Sequence, residues 1–229
     1  MKHEHTHGST LECLTLSPTG LDERADLPLV VCLHGYGANM EDLTGLASAI
    51  DPVGYRYLFP NAPIAAFGDV DPTLRAWYER GGNESPAAVQ EALAALGPFM
   101  QEACARWRAA PGRVVLLGFS QGGAMTLRYG LPRPEEIAGL AVLSGSLRRL
   151  EDLRADLPAR RDQPVFIGHG TADSLVPVDD SRRLAAFLES VGYRPLFRTY
   201  PIDHQISPAE VRDLRDWLRK TLPPSPSPH

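Results

Sequence analysis

Residues 114–125 read VVLLGFSQGGAM, an apolar run that ends in a glycine-rich turn and continues as a helical pattern. The uninterrupted apolar start is typical of a strand that is covered on both faces in a parallel sheet. The turn, residues 118–122, has the form G-x-S-x-G, in which a serine lies on a strained strand-to-helix connection and needs small neighbours. The segment therefore predicts an α/β fold with Ser120 as a nucleophile; the alternative is that Ser120 only caps the following helix.

The rest of the chain repeats this alternation of short apolar runs and longer segments of helical period. Such a pattern is typical of parallel strands joined by crossover helices. The predicted strands are residues 29–33, 57–59, 114–117, 140–143, 164–167 and 196–200. The predicted helices are residues 41–50, 86–107, 121–129, 180–191 and 208–222. We therefore expect an α/β protein with a mostly parallel central sheet flanked by helices.

The length and composition favour a single domain between two tails. A chain of 229 residues with 43% hydrophobic composition is long enough for one substantial core, which we expect over residues 11–222. Residues 1–10 have little apolar content and are expected to form a flexible tail with adventitious affinity for transition metals. Its alternating histidines are His3, His5 and His7. Residues 223–229 are rich in proline and serine and should form a second tail, since they have little to bury.

Charge and hydropathy argue against several classes of protein. The formal net charge of −5 opposes nucleic-acid binding, which requires clustered Lys and Arg. No apolar run approaches the roughly 20 residues needed to span a bilayer, and the N-terminus lacks the layout of a signal peptide, so the cytoplasm is the expected location. The three cysteines, Cys13, Cys32 and Cys104, are odd in number and widely spaced. They suggest neither a disulfide framework nor a zinc site.

A serine nucleophile needs a base, and three histidines outside the tails compete for that role: His34, His169 and His204. Imidazole is the side chain whose unperturbed pKa suits the task. On this fold the nucleophile comes first along the chain, then the acid, then the histidine, which excludes His34. His204 follows the last predicted strand and is predicted to be the base. His169 ends an earlier strand and is expected to have a structural role behind the site.

The acid that orients His204 is predicted to be Asp173, on the loop after the strand that ends near His169. The alternatives are less suited. Asp179 and Asp180 begin a helix, where carboxylates complement the helix dipole. Asp203 is adjacent to the base in sequence and is poorly placed to face its ring.

The tetrahedral intermediate of acyl transfer carries an oxyanion, which this fold stabilises with two backbone N–H groups. The residue after the nucleophile, Gln121, supplies the first. The second is expected from the turn formed by residues 34–37, HGYG, whose glycines let an amide point into the site. The spacing alone does not choose among the amides of this turn.

Five motifs together resemble the phospholipase/carboxylesterase family, which includes acyl-protein thioesterases. Gln after the serine and the order of the motifs make the resemblance more specific than G-x-S-x-G, and it covers nearly the whole chain between the tails. The motifs are LHGYGAN at 33–39, FPNAP at 59–63, WY at 77–78, GFSQGGAM at 118–125 and HGTAD at 169–173. The resemblance implies an α/β-hydrolase fold without a large lid domain. It also implies a homodimer, since members of the family often form dimers.

The resemblance also implies residue roles and a substrate class. It assigns the second oxyanion donor to the amide of Tyr36, and it places Trp77 and Val176 near the acyl pocket, where a plain core role is an equal alternative. No metal or organic cofactor is implied. The chain departs from the family at Asp203, where a glycine commonly precedes the base, and over residues 65–74.

The sequence thus predicts a serine carboxylesterase that acts on short to medium acyl esters through an acyl-enzyme. An acyl-protein thioesterase or lysophospholipase is the alternative within enzymes, since the same catalytic groups serve a thioester or lysophospholipid substrate. A non-catalytic binding protein is the alternative outside them, because the fold does not dictate function.

Overall fold

The computed structural model describes residues 1–8, 10–20, 26–79, 85–147 and 149–225. The strands are β1 (Lys2–His7), β2 (Glu12–Ser17), β3 (Leu29–Leu33), β4 (Arg56–Pro60), β5 (Ile64–Ala65), β6 (Arg75–Ala76), β7 (Val114–Phe119), β8 (Ile137–Leu143), β9 (Val165–Gly170) and β10 (Leu196–Tyr200). The helices are α1 (Gly45–Ile50), α2 (Pro86–Arg106), α3 (Gln121–Gly130), α4 (Glu151–Arg154), α5 (Val178–Ser190) and α6 (Pro208–Thr221).

Eight strands form one sheet in the order β1-β2-β4-β3-β7-β8-β9-β10. The six strands from β4 to β10 in that order pair in parallel, whereas β1 with β2 and β2 with β4 pair antiparallel. The predicted mostly parallel sheet flanked by helices is confirmed, and each predicted strand overlaps an observed one. The loops that leave the carboxyl ends of β3, β7, β9 and β10 therefore meet at one edge of the sheet.

Both faces of the sheet are covered. Helices α2, α3 and α5 pack on one face and α1 and α6 on the other. Along β7, Val114 and Leu116 belong to the first layer, and Val115 and Leu117 belong to the second. Each such side chain contributes about 1.5–3 kcal/mol when it is fully buried, so β7 is anchored from both sides. No helix in the described part of the chain is long and apolar enough to cross a bilayer.

The prediction of a flexible tail over residues 1–10 was wrong for most of its length. Residues Lys2–His7 form the edge strand β1, which pairs with β2 from Lys2 opposite Ser17 to His7 opposite Glu12. The three histidines are exposed, and the residues between them, Glu4 and Thr6, are half-buried. Their alternation is therefore the two-residue period of a strand with one solvated face. Glu4 also forms an ion pair with Arg106 of α2.

Two other boundaries differ from expectation. The helix predicted over residues 41–50 begins only at Gly45, because the Asn39 side chain accepts a hydrogen bond from the Glu41 amide (2.9 Å) and holds a turn there. In the predicted C-terminal tail, Ser225 donates from its amide to Gly54 O (3.2 Å) and from its hydroxyl to Asp26 O (3.0 Å). The tail thus begins packed on the body of the protein, and residues 226–229 lie outside the described residues.

Glu210 is a buried carboxylic acid in the first turn of α6. It is 1% exposed, and its Oε1 would lie 2.2 Å from a Cβ placed on Gly168, so the glycine of β9 makes room for it. Within the described residues, no side chain donates a hydrogen bond to its carboxyl group. Burial raises the pKa of Glu210 from 4.5 to about 7, because the charged form loses its hydration.

We expect Glu210→Gln to flatten the pH dependence of stability. The unfolded chain releases this proton near pH 4.5 and the folded protein only near 7, so stability falls as pH rises through that interval. A glutamine does not titrate, so the variant avoids this fall in the free energy of unfolding, which amounts to at most a few kcal/mol. Thermal unfolding of both proteins at pH 5 and pH 8 checks this. The melting temperature of the variant minus that of the parent should be several degrees higher at pH 8 than at pH 5. An unchanged difference would contradict the assignment, and the exposed Glu189→Gln is the matched control.

Candidate active site

Ser120 lies between β7 and α3 with a backbone φ of 54° and ψ of −116°. Residues other than glycine rarely adopt a positive φ, and this conformation costs about 1–3 kcal/mol. Three hydrogen bonds hold it: the Ser120 amide donates to Leu143 O (2.9 Å), and Ser120 O accepts from the amides of Gly123 (3.0 Å) and Ala124 (3.3 Å). The serine is thus presented on a tight turn at the carboxyl end of a central strand.

The glycines around Ser120 are required because α3 approaches the ends of β7 and β3 closely. A Cβ on Gly118 would lie 2.1 Å from Gly122 O, and a Cβ on Gly122 would lie 2.0 Å from Leu33 O. Both distances are far inside van der Waals contact with backbone atoms that have little freedom to move. A Cβ on Gly35 would lie 3.4 Å from the Ser120 Cβ, so the turn after β3 packs directly against the serine.

Asp173 and His204 lie on loops that follow the neighbouring parallel strands β9 and β10. His204 Nδ1 is 2.7 Å from Asp173 Oδ2. The other carboxylate oxygen accepts from the amides of Leu175 (3.0 Å) and Val176 (2.8 Å). Burial by itself would raise the pKa of Asp173, but the Val176 amide and His204 hold this pKa below its ordinary value. The carboxylate is therefore ionised at neutral pH and directed at the imidazole.

The alternative acids face elsewhere. Asp203 accepts from the Ser174 amide (2.7 Å), the Ser174 hydroxyl (2.9 Å) and the amide of His204 (2.8 Å). These bonds lower the pKa of Asp203 and tie the loop of Asp173 to the loop of His204. Asp179 and Asp180 each pair with an arginine one turn along α5, at 2.6 Å in both cases. Of the four candidate acids, Asp173 is the one in contact with the His204 ring.

The residue before Ser120 packs against the His204 ring. The Phe119 ring, on the residue before Ser120, is 4.8 Å from the His204 ring centroid to centroid. In the described part of the chain, the Ser120 hydroxyl takes part in no hydrogen bond. In unliganded enzymes the bond between nucleophile and base is often long and shortens on substrate binding.

His34 holds the turn that carries the predicted oxyanion donor. Its Nε2 accepts from the Ala62 amide (3.1 Å), so Nδ1 carries the hydrogen and donates to Gly35 O (2.7 Å). Burial lowers the pKa of His34 to about 4, which keeps the ring neutral at neutral pH. The Tyr36 hydroxyl donates to Ala66 O (2.8 Å). The turn is therefore fixed on both sides of the Tyr36 amide.

Gln121, the residue after Ser120, contributes both its backbone amide and its side chain to the site. Its amide is the first of α3, and first-turn amides have no acceptor in their own helix. Its side chain accepts from the Trp77 amide (2.9 Å) and donates to Tyr78 O (2.7 Å). Sequence reasoning missed this cross-link because Gln121 occupies a variable position of G-x-S-x-G.

The two residues predicted to contact substrate are largely buried. Trp77 is 1% exposed, and its indole N–H donates to His34 O (3.0 Å), so the ring supports the turn. Val176 is 9% exposed, and its amide donates a hydrogen bond to Asp173. Its neighbour Leu175 is 61% exposed. The described contacts of both residues are those of packing and support.

Comparison with known proteins gives consistent matches. The sequence profile of the phospholipase/carboxylesterase family matches residues 21–222. Acyl-protein thioesterase 1 of Mycosarcoma maydis is 29% identical over 94% of this chain and 99% of its own. Carboxylesterase SOBER1 of Arabidopsis thaliana is 28% identical over 86% of this chain and 92% of its own. The crystal structure of esterase PE8 superposes with a TM-score of 0.78 at 25% identity, covering 97% of this chain and all of its own.

We expect Gly122→Ala to disrupt the turn that presents Ser120. The new Cβ would lie 2.0 Å from Leu33 O, so the strand and helix must separate or the variant must fail to fold. Esterase activity should fall at least 100-fold, since displacements of about 1 Å cost that much. Gly45→Ala is the matched control, because its added Cβ would meet no atom within 4 Å beyond the neighbouring residues and backbone of its own helix. Activity of both variants close to that of the parent would show that the close approach is not required.

Proposed function

Because this chain belongs to the phospholipase/carboxylesterase family, we propose that it hydrolyses carboxylic esters of short to medium acyl chains with Ser120 as nucleophile. Membership confirms the predicted α/β-hydrolase fold and the predicted class of serine hydrolase. His204 is the proposed base and Asp173 the residue that orients it. The contact that carries the proposal is the 2.7 Å distance between His204 Nδ1 and Asp173 Oδ2, at the sheet edge where Ser120 is presented.

The first half of the reaction forms an acyl-enzyme. Ser120 Oγ attacks the ester carbonyl carbon while its proton passes to His204 Nε2. The carbonyl oxygen becomes an oxyanion that accepts hydrogen bonds from the amides of Tyr36 and Gln121. The intermediate then collapses, the carbon–oxygen bond to the alcohol breaks, and the alcohol leaves with the proton from His204.

The second half releases the acid. Water attacks the acyl carbon and gives a proton to His204, a second oxyanion forms in the same place, and the bond to Ser120 breaks as the serine recovers a proton. Asp173 keeps its charge throughout. By accepting from Nδ1–H it fixes the tautomer with Nε2 free to act and stabilises the imidazolium in both halves.

The acyl group is proposed to lie near Trp77 and Val176, the positions given by the family resemblance. A thioester is the second candidate substrate, supported by the 29% identity to an acyl-protein thioesterase over nearly the full length. Lysophospholipids are the third candidate substrate, because the family description includes phospholipases. All three substrate classes use the same catalytic groups, so the catalytic residues do not discriminate among them. Turnover of a graded panel of short esters, long-chain thioesters and lysophospholipids separates the three candidates.

A non-catalytic binding protein is opposed by the same site. Binding alone requires neither a strained Ser120 nor an ionised Asp173 directed at an imidazole. We also propose a cytoplasmic location and a homodimer. The three free cysteines of the described chain suit a reducing compartment, and the dimer rests on the family resemblance.

We expect Ser120→Ala and His204→Ala each to lower ester turnover by about 1,000-fold or more, and the double variant to lose little beyond either single one. Groups that act as one unit do not contribute additively. A fluorophosphonate probe should label the parent on Ser120 and leave folded Ser120→Ala unlabelled, because only an activated serine reacts. Additive losses, or equal labelling of parent and variant, would refute the assignment.

A further inference from the structure

The carboxylate of Asp173 contacts a second imidazole besides that of His204. His169, in β9, places Nε2 3.3 Å from Asp173 Oδ2, the same oxygen that lies 2.7 Å from His204 Nδ1. The side chains of His169 and Asp173 are fully buried, whereas the His204 side chain is 12% exposed. The fully buried ring of His169 thus lies behind the carboxylate, and the partly exposed ring of His204 lies in front of it.

The hydrogen positions on His169 follow from its neighbours. Nε2 lies 2.9 Å from Val176 O, and a carbonyl oxygen accepts only, so Nε2 carries the hydrogen. In the neutral ring Nδ1 is then an acceptor, and Ser181 Oγ, 2.7 Å away on α5, donates to it. This hydrogen is donated to Val176 O, while Asp173 Oδ2 lies 3.3 Å from the same nitrogen in an electrostatic contact. His169 therefore holds the loop of Asp173 through Val176 and places the positive N–H edge of its ring beside the carboxylate.

The two carboxylate oxygens of Asp173 have different partners. One oxygen accepts from the amides of Leu175 and Val176, and the other faces the nitrogens of His204 and His169. Removal of the His169 ring would leave Oδ2 in contact with His204 alone. It would also free Val176 O, which belongs to the residue whose amide donates to the other carboxylate oxygen.

We propose that His169 is a positioning residue for hydrolysis, which fixes the direction of Asp173 Oδ2 toward His204 Nδ1. This inference rests on the proposed function. His169 acts through Asp173 and reaches no substrate atom, because its side chain is fully buried. Its loss should weaken the orientation of His204 in the chemical steps and leave substrate binding almost unchanged.

Two polar substitutions separate this role from simple core packing. The amide of glutamine can occupy the position of the imidazole Nε2 and donate toward Asp173 and Val176. The amide of asparagine occupies the position of Nδ1, can pair with Ser181, and is too short to reach Asp173. His169→Gln should keep kcat within a few-fold of the parent. His169→Asn should lower kcat about 10- to 100-fold with KM changed less than about threefold.

A stability control completes the experiment. Gln163 is a buried amide just before β9 that donates to Ile137 O (2.8 Å), away from the site. Gln163→Leu should lower the melting temperature to an extent comparable with His169→Asn and retain the parent kcat. Equal kcat for His169→Asn and His169→Gln, or an equal loss of kcat in Gln163→Leu, would overturn the inference. Absence of turnover and of fluorophosphonate labelling in the parent would instead refute the proposed function.

Discussion

The close approach of α3 to the ends of β7 and β3 around Ser120 is the constraint on which the site depends. The serine has a positive φ, and the chain around it has no room for a side chain on Gly118 or Gly122. The strain, about 1–3 kcal/mol, is held by a strand buried on both faces and by a helix packed across it. The result is a hydroxyl that projects from the sheet edge, beside the first amide of α3.

The parallel sheet brings the partners of Ser120 to the same edge. Asp173 and His204 follow adjacent strands, and the His204 loop packs on Gly170, where an added Cβ would lie 2.4 Å from Ile202 O. Asp203 then links the two loops through Ser174. The residue that departs from the family pattern thus has a structural use, since it fixes the loop of His204 against the loop of Asp173.

Much of this arrangement could be predicted from local patterns. Apolar runs followed by turns predicted β3, β4 and the strands from β7 to β10, and G-x-S-x-G predicted the strained turn at Ser120 because that turn leaves a local signature of small residues. The contact between Asp173 and His204 follows from chain order on a parallel sheet. The edge strand β1 could not be predicted, because its polar, solvent-facing histidines have no apolar pattern and its order comes from pairing with β2. The Gln121 cross-link and the His169 contact depend on distances between segments far apart in sequence.

A crystal structure of the enzyme after reaction with a fluorophosphonate would test whether Ser120, His204 and the two amides meet at one reacting centre. The phosphonate is a stable mimic of the tetrahedral intermediate. We expect a covalent bond from phosphorus to Ser120 Oγ, with the phosphoryl oxygen about 3 Å from the amides of Tyr36 and Gln121. We also expect His204 Nε2 within about 3.2 Å of an oxygen of the adduct. An adduct on another residue, or a His204 ring that stays beyond hydrogen-bonding distance of the adduct, would contradict the proposed roles of Ser120 and His204.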